Sequence, residues 1–214
     1  MTTSSKVAVI GLGNIGQAVA GNLSKSNTSF IAADRNLEKA KELSEKWNAE
    51  PSDIPGAVKN ADILVLAIPF GTISGFMKDY SADLEGKIIV DPSNPIAPAE
   101  SGGFKKVIGE NESAGEINAS YLPHGAKLVK ALGTLGAETL SNAAYQSPEK
   151  AVLFYATDDT SIDPQVEKLI HDTGYDALRV GGIDQSIRIE VFGDLHEFGA
   201  LGKLVTLSEA KQKI

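Results

Sequence analysis

Residues 9–19 read VIGLGNIGQAV, and the fold turns on how that stretch is taken. A β-branched run, KVAVI (6–10), stops at Gly11, and the proline-free stretch 14–26 suits a helix. Between them lie Gly11, Gly13 and Gly16 in the spacing GxGxxG, which alone matches often by chance. Here it follows a strand, opens a helix, and is followed 18 positions after Gly16 by an acidic residue, Asp34, at the end of the next strand. In that setting the three glycines serve different ends. Gly11 permits a tight turn, Gly13 leaves the backbone bare where a pyrophosphate approaches, and Gly16 lets the helix pack closely on the strand. Gly11, Leu12, Gly13, Asn14, Ile15 and Gly16 are therefore expected to hold a dinucleotide. The unpaired N–H groups and positive dipole end of the helix starting near Asn14 face its phosphates. A plain strand-to-helix turn would need none of this context.

Working outward, SFIAAD (29–34) reads as a second strand. In NLEKAKELSEKW (36–47), Leu37, Ala40, Leu43 and Trp47 recur at helical spacing, which completes a βαβ unit. DILVLAI (62–68) and KIIVDP (87–92) are further strands, each ended by proline, and AKLVKAL (126–132) and AVLFYATD (151–158) add two more. PQVEKLIHDTGYDALRV (164–180) reads as helix then strand, and a short helix is expected at 114–121 within the Pro- and Gly-containing stretch 93–123. This alternation predicts an α/β, Rossmann-type, doubly wound and mostly parallel sheet with C-terminal helices. Residues 1–183 would form the dinucleotide-binding domain, and 184–214 a C-terminal helical segment packing on or near the site.

Composition narrows the function. Across 214 residues, 42% are hydrophobic and 22% charged, as expected of a folded domain. No apolar stretch approaches the roughly 18 residues that cross a bilayer, and the start MTTSSK lacks the apolar core of a signal peptide, so a cytoplasmic protein without membrane contact is expected. With no cysteine there are no disulfides, thiolate metal sites or cysteine nucleophiles. The net charge of −8 argues against a nucleic-acid partner, and leaves an anionic cofactor to be held by local features.

The residues leave the choice of dinucleotide open. Asp34 would accept hydrogen bonds from a ribose and repel a 2′-phosphate, which speaks for NAD. Arg35 and Lys39, one helical turn apart, would converge on a 2′-phosphate, which speaks for NADP; equally, they suit the solvated face of an amphipathic helix.

GLGNIG (11–16), DRNLEKA (34–40), LAIPF (66–70), DPSNPI (91–96), VKALGTL (129–135) and GGIDQSIRIE (181–190) together resemble the small NADP-dependent reductases of the deazaflavin coenzyme F420. That family shares its dinucleotide domain with pyrroline-5-carboxylate reductases. The resemblance implies that Arg35 and Lys39 hold a 2′-phosphate, which favours NADP, although the family commonly has a small neutral residue where this chain has Asp34. It assigns Ala67, Ile68, Pro69 and Phe70, with Ser93, Asn94 and Pro95, to the nicotinamide half. Strand ends of a parallel sheet converge on the ligand crevice, which agrees. The amide of Asn94 could meet a carboxamide or a ribose. Thr134 and Leu135 would lie beside the acceptor ring, with Gly133 opening the pocket toward a flavin or a quinone as well as coenzyme F420.

No catalytic side chain is assigned, because hydride transfer to a flavin-like ring needs positioning more than a protein acid or base. His124 precedes its strand, away from the crevice, and His171 suits a helix surface; His196 lies in a segment that could cover the site. The three are too scattered for a metal site, and TDDTSID (157–163) reads as helix capping rather than calcium binding. The leading reading is hydride transfer between NADP(H) and a deazaflavin or flavin-like acceptor, a small-molecule partner, with room for a homodimer. Imine or carbonyl reduction and a non-catalytic dinucleotide sensor are the alternatives.

Overall fold

The computed structural model describes residues 5–100 and 102–214; most of the MTTSSK start, read above for a leader, lies outside them. Eight strands form one sheet in the order β10-β9-β8-β5-β4-β1-β2-β3. They are β1 (Val7–Ile10), β2 (Phe30–Ala33), β3 (Glu50–Ser52), β4 (Ile63–Leu66), β5 (Ile88–Asp91), β8 (Lys127–Lys130), β9 (Val152–Ala156) and β10 (Asp176–Gly181). β1 lies between β2 and β4, so the sheet winds one way through β2 and β3 and the other through β4, β5 and β8. The crevice outside this reversal is where ligands of open α/β sheets bind. β9 joins β8 antiparallel and β10 runs parallel to β9, so the last two strands oppose the other six.

Alternation along the strands explains the two covered faces. Val7 and Val9 of β1 look toward α1 (Asn14–Lys25), α2 (Leu37–Trp47), α6 (Ala137–Asn142) and α7 (Asp163–Asp172), while Ala8 and Ile10 look toward α3 (Ile54–Asn60) and α4 (Phe70–Asp79). Both sets are buried, which is why the strands read as continuous apolar runs. Outside the sheet, β6 (Ile96–Pro98) and β7 (Phe104–Lys106) form an antiparallel hairpin, followed by α5 (Ala114–Ala119). Asp159 caps a 3-10 turn by accepting from the Ser161 N–H, the role expected for the 157–163 stretch.

The C-terminal segment departs from its predicted helical character. After a 3-10 stretch, Ile183–Arg188, the chain runs mostly as turns up to α8 (Leu207–Ala210). It doubles back too tightly for helix. A Cβ on Gly193 would lie 2.4 Å from the carbonyl oxygens of Ile187 and Arg188, one on Gly199 would lie 1.8 Å from that of Gly193, and Phe192 sits at φ +69°.

Candidate functional site

The glycine turn divides its three glycines between fold and ligand. Gly11, at φ +90°, presses on the end of β4, where a Cβ would come within 2.5 Å of the Ala67 carbonyl oxygen. A Cβ on Gly16 would sit 1.9 Å from the carbonyl oxygen of Gly11. Around Gly13, by contrast, nothing lies within 4 Å of the Cβ position, and this residue caps α1 with no side-chain hydrogen bond. The first turn of α1 therefore presents main-chain N–H groups to open space, the arrangement that receives phosphates.

Leu12 is buried, and its N–H donates to Asp34 Oδ2 at 3.0 Å, so the end of β2 braces the turn. The same carboxylate accepts from the Asn36 N–H at 3.1 Å and pairs with Lys39 Nζ at 3.1 Å. Burial works against its charge, but the Asn36 and Leu12 amides and Lys39 outweigh it and hold Asp34 below the usual carboxylate range. Lys39 thus leans on Asp34 rather than standing free beside Arg35, which is exposed.

A cleft of about 430 Å³ opens in front of the turn. Of the residues picked from the sequence, Gly13, Asn14, Ile15, Ala67, Ile68, Pro69, Phe70, Ser93 and Asn94 line it together. Gly11, Leu12 and Gly16 do not line it and shape the turn, and Asp34, Arg35 and Lys39 stand at the end of β2. Pro95 and Thr134 are not on the wall. Pro95 is buried and its carbonyl accepts from the Val107 N–H at 2.8 Å, starting the hairpin.

Thr134 is 2% exposed with its hydroxyl unpartnered, and Leu135 takes the place on the cleft. The cause is the neighbouring backbone: Leu132 turns at φ +65°, and Gly133 approaches Pro92 so closely that a Cβ would meet its carbonyl oxygen at 2.4 Å. Gly133 therefore joins two loops instead of opening the pocket. The Asn94 amide, read above as a partner for carboxamide or ribose, is likewise engaged within the protein. Its Nδ2 donates to the Gly133 carbonyl at 2.9 Å and its Oδ1 accepts from the Val191 N–H at 2.7 Å.

Beneath these loops, Asp91 at the end of β5 and Lys130 at the end of β8 form an ion pair at 3.0 Å, 0% and 3% exposed. Asn118 Nδ2 donates to Asp91 Oδ2 at 2.8 Å, the Ser93 N–H donates to Oδ1 at 2.8 Å, and Lys130 Nζ also donates to the Ser93 carbonyl. A buried pair of this kind needs such supplementary hydrogen bonds to offset desolvation. Here they fix the loop carrying Ser93 and Asn94.

Of the far wall, sequence reasoning had only Leu135 and the expectation that the segment 184–214, with His196, packs near the site. The wall consists of Ile96 and Phe104 from the hairpin, Leu135, Gly136 and Ala137, and Val191, His196 and Phe198 from the C-terminal turns. His196 is 2% exposed, with Nε2 3.1 Å from the Gly133 carbonyl and Nδ1 accepting from the Phe198 N–H at 3.0 Å. These partners select the neutral imidazole with hydrogen on Nε2. Burial lowers its pKa, only partly opposed by the Gly133 carbonyl and by Glu197. His124 is exposed ahead of β8, at the strand end away from the cleft, and His171 Nδ1 lies 2.9 Å from the Tyr175 carbonyl on α7. No cluster suited to a metal occurs among the described residues, nor any helix long and apolar enough to cross a membrane.

Residues 6–95 match the family model described as NADP oxidoreductase, coenzyme F420-dependent, so the resemblance carried by GLGNIG and LAIPF is borne out over that stretch. The chain is 31% identical over 106 residues to an F420-dependent NADP reductase from Methanocaldococcus jannaschii, covering 44% of this chain and 47% of that one. It is 31% identical over 129 residues to an opine dehydrogenase from Arthrobacter sp., covering 52% of this chain and 35% of that one. The aligned stretches thus span between about a third and about half the length of these curated relatives. Among solved structures, a hypothetical protein from Sinorhizobium meliloti has the same fold at a TM-score of 0.81 and 24% identity, over 94% of this chain and 95% of that one.

Proposed function

Taking the family match over residues 6–95 as premise, we propose that this chain is an oxidoreductase that moves a hydride between NADP(H) and a deazaflavin or flavin-like acceptor. One observation carries the reading: a single cleft runs from the bare glycine turn to an apolar shelf of Ile96, Phe104, Leu135, Val191 and Phe198. His196 is the only titratable residue lining it among the described residues, and both of its ring nitrogens are engaged inside the protein. Reduction of an imine or carbonyl concentrates charge on one atom and calls for a positioned acid. A tricyclic acceptor spreads that charge over its ring and takes its proton from water, so two ring faces need only be held together.

The nicotinamide cofactor supplies the hydride when bound. The chain's part is to receive the diphosphate on the first amides of α1 and to leave the adenosine end to the loop after β2. There the exposed Arg35, joined by Lys39 once it leaves Asp34, suits a 2′-phosphate. The opine dehydrogenase relative favours a second reading, imine reduction, but over a third of its length.

NADPH oxidation, followed by absorbance, distinguishes the two. Turnover is expected with coenzyme F420, flavin mononucleotide or riboflavin, and none with cyclic imines or keto acids paired with amines. Turnover of imines alone would overturn the proposal, as would a failure to bind NADPH.

A further inference from the structure

The wall facing the glycine turn is fastened by two consecutive residues, His196 and Glu197. His196 Nε2 donates to the Gly133 carbonyl, the Glu197 N–H donates to the Thr134 carbonyl at 3.2 Å, and the Glu197 carboxylate accepts from the Gly136 N–H. The opposite nitrogen of His196 accepts from the Phe198 N–H, and the two rings lie 5.5 Å apart and tilted by 42°. One imidazole therefore ties the loop that carries Leu135 to the residue that carries the Phe198 ring, and both of those side chains line the cleft.

We propose that His196 is a positioning residue that latches Phe198 over the acceptor end of the cleft, and that its protonation opens the latch. The inference rests on the function proposed above for that cleft. A second proton would go on Nδ1, the atom that receives the Phe198 N–H, and two donors would then face each other. Burial already disfavours the charged ring.

The groups around the imidazole do not restore the contact. Glu197 favours the charged ring, but its carboxylate is engaged by the Gly136 N–H and supplies no acceptor for Phe198, and residues 131–137 carry no titratable side chain. Asp91 is matched by Lys130, and Arg188 by Asp194 at 2.9 Å; Glu138, in the first turn of α6, is exposed. The donor side of the cleft is built from other residues, so release of Phe198 leaves dinucleotide binding in place.

The test compares wild type, His196→Ala and His196→Asn from pH ~8 down to ~4.5, carried below the ordinary histidine range because burial lowers the pKa of His196. Asn keeps an oxygen where Nδ1 stood and takes no proton. For wild type, the KM for the acceptor, with flavin mononucleotide or coenzyme F420 as probe, should rise about tenfold on the acid side while the KM for NADPH stays within about twofold. His196→Ala should show the raised acceptor KM at all pH values, and His196→Asn, which keeps the Phe198 contact but gives up the bond to the Gly133 carbonyl, a pH-independent one below that of His196→Ala.

Hydrogen exchange at the Phe198 amide, corrected for intrinsic rates, reads the latch without turnover. Protection should be present at neutral pH, lost in acid and absent in His196→Ala. Protection unchanged in both would overturn the latch whatever the activity, as would parallel shifts in the KM of NADPH and acceptor. A chain that reduces none of the acceptors yet shows the expected exchange pattern would keep the latch and lose the proposed activity.

Discussion

At the glycine turn the cleft wall is main chain: bare N–H groups at the start of α1, set by Gly11 and Gly16 pressing on backbone oxygens. Across from it the wall is side chain, with Phe104 from the hairpin and with Leu135, Val191 and Phe198 held by a web of loop-to-loop hydrogen bonds through Asn94, His196 and Glu197. The first side lies within residues 6–95, where the family model matches, and most of the second lies beyond them. A diphosphate looks the same in every dinucleotide, so main chain suffices to receive it. An acceptor differs from enzyme to enzyme, and side chains on turns can change without disturbing a strand.

The joint between the two sides gives the largest expected effect. Lys130→Met would leave Asp91 charged, buried and unmatched, and breaking such a pair costs about 3–5 kcal/mol. Urea unfolding would measure it; a loss below about 1 kcal/mol would mean that the pair does not bind the β5 and β8 loops together. Next comes a contrast within the turn. Gly16→Ala forces a methyl group onto the Gly11 carbonyl and should cost about 1–3 kcal/mol together with NADPH affinity. Gly13→Ala meets no neighbour and loses only a glycine N-cap, so it should lower the melting temperature much less than Gly16→Ala while weakening NADPH. Equal melting temperatures for the two variants would erase the distinction between fold glycine and ligand glycine. The smallest effect is at the rim: Arg35→Ser should raise the KM for NADPH about tenfold, or about 1.4 kcal/mol, with NADH unaffected. A matching rise for NADH would remove Arg35 from 2′-phosphate recognition.

The same contrast explains what could be read in advance. Strands buried on both faces leave β-branched runs, and the glycine spacing follows from contacts with backbone, so β1, β2, β4, β5, β8, β9 and the turn were legible. β3 is three residues at the sheet edge, Glu-Pro-Ser, with no apolar signal, and α4 hides behind Gly71 and Gly75. Leu135 lies on the cleft as expected but Thr134 turns inward, because a loop's facing depends on Leu132 at positive φ and on the approach of Gly133 to Pro92, neither of which leaves a periodic trace. That His196 lies in a segment that could cover the site was legible, but its tie to the facing loop left no trace, since its partners are main-chain groups at positions 133 and 198. The C-terminal turns read as helix because their apolar residues are spaced like one, while Gly193 and Gly199 set the actual path.

Because Val191, His196 and Phe198 come so late in the chain, a ribosome will have delivered the whole glycine turn, and every strand beside it, before the last part of the opposite wall emerges. During synthesis the nascent protein would thus present the glycine turn with Ile96, Phe104 and Leu135 facing it, before Val191, His196 and Phe198 complete the wall. The same asymmetry would follow a proteolytic nick after β10.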